Sequence, residues 1–481
     1  MDHPDHDFHT SSHPVQTGDI VHLDVERLGE NGDGLCRVNN YVVWAPGTLA
    51  GEKVEAEIVA AGRKNGRAEV LEIEEKSPQR AEPLCPHFGV CGGCQLQHLE
   101  YRAQLEFKTE MIRSLLCHTL AREEVPVHPC VGPENPWGHR NRIALQVTEQ
   151  HGQLTGGLFR RRSRELVDIT QCPVSHPEGW QTAQSALEAT RAIGIEAWNP
   201  VTDSGTLRTV LVRTNASGES EVTFVLREGD KTELTALREA TIPSKGLCIN
   251  LNSSDQGRLL GNRTEHVRGD RHFSDQVAGN TLRLSSGAWL RTSQFGLETI
   301  ASLVQRLVDP IPEAVVLDLY SGVGVLGLAV ASSVKQVIGI EKNPRAVEDA
   351  TASAWASKVE NISFRKGNVE KLLAQLKMKN VYAAILDPPT EGCGRFVINV
   401  LAKEVRPERL VYVCQTPASF VEEVPIFEDR GYRLTAVHPV DTSPHTSGVE
   451  LVALFESSIQ GGKRRASISQ ARRLLRRLKD D

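Results

Sequence analysis

A chain of 481 residues exceeds one ordinary core, since domains average about 100–200 residues, and three units are expected. With 40% hydrophobic and 24% charged residues and no apolar run near the roughly 18 residues of a membrane span, it reads as a soluble globular protein without a signal peptide. The net charge of −6 argues against gathering nucleic acid by bulk attraction, although a local positive face is enough to contact phosphates.

Residues 1–14 hold four histidines among Asp, Ser and Pro without apolar periodicity, and are expected to form a disordered tail. Residues 15–75 change to short alternating runs, such as Ile20-Val21-His22-Leu23-Asp24-Val25 and Val54-Glu55-Ala56-Glu57-Ile58-Val59, broken by Gly32-Asp33-Gly34. That is the pattern of a small antiparallel barrel. Together with Tyr41-Val42-Val43-Trp44-Ala45-Pro46-Gly47 and Gly51-Glu52-Lys53-Val54, the segment resembles a TRAM domain, an OB-like RNA-binding barrel.

Residues 76–285 are expected to form a central domain. It opens with a proline-containing linker, 76–84, and a cysteine-rich stretch. A helix over 101–120, with Leu105, Met111, Ile112, Leu115 and Leu116 on one face, is a candidate for packing on the catalytic domain. From about Val125 to Asn280 the text reads mainly as strands and loops.

Over 286–457 the pattern becomes α/β. Val315-Val316-Leu317-Asp318-Leu319-Tyr320, Val337 to Glu341, Tyr382 to Asp387 and Leu410 to Val413 are short buried-strand runs, each followed by helix-length sequence. They predict a Rossmann-like parallel sheet, completed by Tyr432 to Val440 and Val449 to Phe455. Basic residues bunch at Arg160-Arg161-Arg162 and in a basic tail, 458–481. Each run reads equally well as a phosphate contact or as a solvated face.

Gly322-Val323-Gly324-Val325-Leu326-Gly327 follows the first α/β strand and opens a helix, which suits a nucleotide-like ligand. The acid Glu341 stands 23 positions beyond Asp318, where a ligand ribose is expected, as it would for a dinucleotide. Asp387-Pro388-Pro389 resembles the acidic strand-end motif of S-adenosylmethionine (SAM) methyltransferases acting on nucleic-acid bases, and favours SAM over NAD.

Cys85, Cys91 and Cys94 form C-x5-C-x2-C, and Cys172 is a distant fourth thiolate. Four thiolates hold either zinc or an iron–sulfur cluster, and spacing does not separate the two. Disulfides are not expected in a reducing cytosol, and Cys36, Cys117, Cys130 and Cys248 read as small buried residues.

From Val15 to Phe455 the chain resembles the RNA 5-methyluridine methyltransferases, on the segments above and on Val411-Tyr412-Val413-Cys414-Gln415-Thr416-Pro417 and His445-Thr446-Ser447-Gly448-Val449-Glu450. The resemblance implies SAM contacts at Gln294, Tyr320, Gly322, Gly324, Glu341, Asn368 and Asp387. It further implies a [4Fe–4S] cluster on Cys85, Cys91, Cys94 and Cys172, with zinc as runner-up, and Glu450 as the base that removes the C5 proton.

In that family a cysteine adds to C6 of uracil so that C5 can take the methyl group. Here Gln415 stands in its place, Gly448 replaces a second histidine, Thr390 follows Asp387-Pro388-Pro389 where Arg is usual, and Gly296 replaces an Asn. Cys414 and, more weakly, Cys393 are the candidate substitutes, although neighbouring side chains at a strand end point to opposite faces.

The leading expectation is therefore a cytoplasmic, monomeric, SAM-dependent methyltransferase acting on uridine C5 of rRNA or tRNA, with the base flipped out of its stack. The rivals are an RNA-binding relative that has lost catalysis, and an enzyme of the same fold acting on another base or atom.

Overall fold

The structure, a computed structural model, describes residues 14–227, 231–254, 257–376 and 380–458. The expected tails at 1–14 and 458–481 fall almost wholly outside them. Two compact units form: one of residues up to Phe107 together with His445–Ser447, the other of Lys108–Pro444 and the residues from Gly448 onward. Their boundary falls inside a helix, α1 (Tyr101–Leu120). Among the described residues no helix is long and apolar enough to cross a membrane.

In the first unit β1 (Ile20–Asp24), β2 (Arg27–Leu28), β3 (Gly34–Val38), β4 (Tyr41–Ala45), β5 (Lys53–Ala61) and β6 (Asn65–Glu75) make one sheet in the order β1-β5-β6-β4-β3-β2. Alternate residues of β5, Val54, Ala56 and Ile58, enter a core shared with Leu23, Cys36, Val43 and Ala68, so the sheet wraps around its own apolar face. The linker that follows is tied to it by Arg80, whose guanidinium donates to both oxygens of the buried Glu52 at 2.6 and 2.7 Å.

The second unit opens with a mixed sheet of β7 (Arg142–Gln150), β8 (Gln153–Phe159), β9 (Leu166–Asp168), β10 (Leu207–Thr214), β11 (Ser220–Leu226), β12 (Gly246–Leu251) and β13 (Arg263–Gly269), in the order β13-β12-β11-β10-β7-β8-β9. Two helices, α2 (Pro177–Ile193) and α3 (Lys231–Glu239), interrupt a region expected to hold mainly strands and loops. The buried side of α2 is Gly179, Thr182, Ala183, Ala186, Leu187 and Thr190, and so small a stripe gives little hydrophobic periodicity. Pro177 in its first turn and Gly194 at φ +76° after its end are conventional boundary signals.

A hairpin of β14 (Phe273–Val277) and β15 (Asn280–Leu284) leads through a loop to α4 (Gln294–Val308). The second sheet follows: β16 (Val315–Leu319), α5 (Val325–Ala331), β17 (Gln336–Glu341), α6 (Pro344–Ala356), β18 (Ile362–Lys366), α7 (Val369–Gln375), β19 (Ala383–Leu386), α8 (Gly394–Val400), β20 (Arg409–Cys414), α9 (Pro417–Glu428), β21 (Tyr432–Val440) and β22 (Glu450–Ser457). Its order is β18-β17-β16-β19-β20-β22-β21, with β22 antiparallel to its neighbours. The edge strand β18, only partly buried, is one that apolar runs did not announce.

This topology places the site. The chain leaves β16 toward β17 and β18, then returns to add β19 and β20 on the other side, so loops diverge above the carboxyl ends of β16 and β19 and open a crevice. Side chains of α6 and of Ser357 just after its end fix the hairpin beside it: Ser357 Oγ accepts from Thr281 N–H at 2.9 Å, Ser353 Oγ from Arg283 N–H at 2.9 Å, and Asp349 from Ser285 N–H at 3.0 Å. The loop carrying Trp289 and Arg291 is thereby held against the crevice.

Candidate active-site cleft

At the carboxyl ends of β16, β17 and β19 lies a cleft of about 700 Å³. Of the residues expected to bind the methyl donor, Tyr320, Gly322, Glu341, Asn368 and Asp387 line it; Gln294 and Gly324 do not. Each lining residue has a local reason for its place. Gly322 (φ +52°) makes the turn after β16, and its N–H donates to Glu341 Oε2 at 3.1 Å, so strand-end acid and glycine loop already hold each other. Asn343 N–H occupies the other oxygen of Glu341 at 2.7 Å. Asn368 caps α7, accepting from Lys371 N–H at 3.3 Å. Tyr320 is held at φ +62°, a conformation that costs a non-glycine residue about 1–3 kcal/mol.

Gly324 serves packing instead: a Cβ there would come within 2.7 Å of the Phe364 ring, so the glycine lets α5 approach β18. Gln294 donates to Gln276 O at 2.7 Å and to Glu298 Oε1 at 3.1 Å. The departure at Gly296 also has a steric account, because a Cβ would meet Thr442 Cγ2 at 2.8 Å.

Asp318, on the cleft lining, is fully buried. One oxygen accepts from Gly327 N–H at 2.9 Å, while the other has no partner; Ser321 Oγ, also on the lining, has none either. Burial and the negative charge of Asp387, and further that of Glu341, push the Asp318 carboxyl up to about 8 against the pull of the Gly327 N–H. A cleft of this size with unsatisfied buried oxygens on its lining fits a ligand of SAM's size bearing ammonium and hydroxyl donors.

The raised carboxyl has a measurable consequence. The unfolded chain releases this proton near pH 3.8 and the folded one near 8, so between those values the folded state binds more protons and loses stability as pH rises. Wild type should lose up to about 1.4 kcal/mol per pH unit from this group, a slope absent from Asp318→Asn. Urea unfolding at pH 5 and pH 8 should show the Asn variant gaining on wild type at the higher pH. An equal difference at both would mean that Asp318 titrates normally.

Sequence reasoning missed the most heavily bonded side chain of the cleft. Arg291, only 6% exposed, donates from both terminal nitrogens to Asp387 at 2.9 and 2.8 Å and from Nε to Glu450 at 2.7 Å. Burial alone would disfavour its charge, but the two carboxylates outweigh it and raise the guanidinium above its ordinary value. Glu450 therefore sits in an ion pair and does not itself line the cleft. Arg291 belongs to a loop of no recognisable motif, which is why it left no signal.

Gln415, following β20, lines the cleft, and neither Cys414 nor Cys393 does. Cys414 is buried with its thiol donating to Thr416 O at 2.9 Å, and burial pushes it up to about 12. Cys393 is buried at the start of α8, its thiol donating to Glu423 at 3.4 Å, and burial together with that carboxylate raises it well above the ordinary thiol range. Both are thus neutral thiols at physiological pH, turned to other partners.

Cys85, Cys91 and Cys94 lie half-buried on a turn-rich segment of the first unit, where Gly93 N–H points at Cys91 Sγ at 3.4 Å; Cys172 belongs to the second unit. Among the described residues no three His, Cys, Asp or Glu side chains are gathered so as to hold a metal. Cys36, Cys130 and Cys248 are buried, whereas Cys117 is partly exposed.

Comparison with known proteins agrees with this geometry. A TRAM domain profile matches residues 14–71 and a methyltransferase domain profile matches residues 312–408. An uncharacterized RNA methyltransferase of Halalkalibacterium halodurans is 30% identical, covering 92% of this chain and 98% of its own length. One of Listeria monocytogenes is 31% identical, covering 93% and 99%. Among solved structures, the tRNA (uracil-54, C5)-methyltransferase of Pyrococcus abyssi, in complex with S-adenosyl-L-homocysteine, aligns over 90% of this chain and 99% of its own with a TM-score of 0.72 and 26% identity. With near full-length relatives at this identity, and with a TRAM barrel and an α/β methyltransferase domain both in place, the chain belongs to the RNA methyltransferase family.

Proposed function

We propose that the cleft binds SAM and delivers its methyl group to a base of rRNA or tRNA flipped out of its stack, with uridine the leading candidate. The observation that carries this reading is the cleft itself. Its one end, at Gly322, Glu341 and Asn368, presents the turn, acid and capped helix that suit a nucleoside, and its other, at Asp387 and Gln415, is left for the acceptor. The likeness to the Pyrococcus abyssi enzyme, named for uracil 54 of tRNA and its C5 atom, supports uridine. Glu341 would hold the ribose and Asn368 would lie near the adenine. The sulfonium supplies the electrophilic methyl group, and Arg291 fixes the Asp387 and Glu450 side chains by charge-assisted hydrogen bonds.

A second reading, transfer to an atom that needs no thiol adduct, is favoured by the finding that an amide, Gln415, lines the cleft while both nearby thiols are buried and protonated. Incubating the purified full chain with labelled SAM and RNA lacking its modifications, then digesting to nucleosides, separates the two. Labelled 5-methyluridine supports C5 and label on another nucleoside or atom supports the second reading, whereas RNA binding without label would leave an RNA-binding relative that has lost catalysis. Under the second reading Cys393→Ala, Cys414→Ala and the double variant should all keep at least about a third of wild-type activity, since a buried neutral thiol supplies no nucleophile. A loss of 100-fold or more in a still-folded single variant would restore thiol-assisted chemistry.

We further propose, on the sequence spacing and its likeness to the 5-methyluridine enzymes, that Cys85, Cys91, Cys94 and Cys172 take up a [4Fe–4S] cluster with a structural role, zinc being the alternative. Iron, sulfide and zinc analysis of anaerobically purified protein decides. A cytoplasmic location is part of the same proposal.

A further inference from the structure

Trp289 is large, apolar and 51% exposed, yet it lines the cleft rather than open surface. An exposed indole on the wall of a cleft invites a flat apolar partner. Its position along the cleft follows from Arg291: the guanidinium carbon lies 5.5 Å from the Trp289 ring centre, and the same guanidinium is bonded to Asp387 after β19 and to Glu450 at the start of β22. The indole therefore stands at the acceptor end, away from Glu341 after β17 and Asn368 before α7.

Its support is rigid as well. The cation beside the ring is nearly fully buried and pinned by three charge-assisted hydrogen bonds, and the strand leading to the loop is tied to α6 by Ser353 and Ser357. A ring so held is presented without the ordering cost of a free surface tryptophan.

We propose that Trp289 is the stacking face for the flipped RNA base, and that Arg291, clamped by Asp387 and Glu450, is the positioning residue that fixes it. The subsite takes a nucleobase from an unpaired segment of RNA. Gln415, on the same cleft lining, offers an amide donor and acceptor to the base edge. This inference rests on the proposed function, since it names how the acceptor is held.

The test compares Trp289→Ala and Trp289→Phe with wild type in the full chain. It reads KM for unmodified rRNA and tRNA transcripts, Kd for the same transcripts carrying a fluorescent label, and Kd for SAM by calorimetry. Trp289→Ala should raise the RNA KM and Kd about ten-fold or more, and Trp289→Phe should recover most of the loss because any aromatic face stacks. The SAM Kd should stay within about two-fold.

Trp355→Ala, which removes an indole 75% exposed but outside the cleft, should leave all three values unchanged. Unchanged RNA values in Trp289→Ala overturn the proposal, as does a loss of SAM affinity as large as the loss for RNA, which would put the indole in the donor pocket. Should wild type bind RNA but transfer no methyl group, the proposed function falls while the Kd comparison still decides whether Trp289 holds a base.

Discussion

Arg291→Met is expected to destabilise the fold by about 3–5 kcal/mol and to lower methyl transfer by roughly 100-fold or more. The reason is a buried charge balance. Asp387 and Glu450 share the one guanidinium, and Asp318 stands near enough for the Asp387 charge to raise its carboxyl. Methionine fills much of the volume but leaves two largely buried carboxylates without their counterion, so water must enter or the loop must open. Either response moves Trp289 and Asp387 from their places on the cleft wall.

Arg291→Lys keeps the charge but cannot make the forked contact with Asp387 and a further bond to Glu450 together, and should fall between methionine and wild type. Urea unfolding and steady-state kinetics check both variants. Stability within about 1 kcal/mol of wild type and an unchanged rate in Arg291→Met would show that the ion cluster holds nothing in place.

The second large effect lies away from the cleft. Lys108, in α1, donates to Asp441 after β21 at 2.6 Å, and both side chains have no exposed surface. Lys108→Met should again lose about 3–5 kcal/mol, because Asp441 keeps a buried charge without its lysine. The double variant Lys108→Met, Asp441→Leu should recover a large part of that loss, since an apolar pair of similar volume carries no desolvation penalty. Thermal or urea unfolding of the three variants decides; equal stability of Lys108→Met and wild type would mean that water reaches the pair.

Asp387 and Glu341 were legible in the sequence because function and fold leave the same trace there: each is an acid that ends a run of buried strand residues. Gly322 and Asn368 follow the same logic at a turn and a helix cap. The alternation of side chains along β20 already argued that Cys414 and Gln415 face opposite ways, and it is Gln415 that lines the cleft.

Arg291 and Trp289 were not legible. They sit on a loop whose local sequence carries no periodicity, and their importance comes from partners 96 and 159 positions away in the chain for Arg291, distances no window reads. Helix α2 was missed for a different reason, its buried stripe being built of alanine, threonine and glycine around a single leucine, Leu187. Glu450 lies in a segment that resembles the family's base segment, and the arginine that engages its carboxylate was not visible from that segment.

The crevice above β16, β17 and β19 is the place proposed for the methyl donor. Calorimetric titration of the full chain with SAM, beside Glu341→Ala, tests it most directly. One SAM should bind per chain, and Glu341→Ala should weaken that binding about ten-fold or more, a loss expected when hydrogen bonds to a charged group are removed. No heat of binding in wild type, or identical affinity in the variant, would contradict the account.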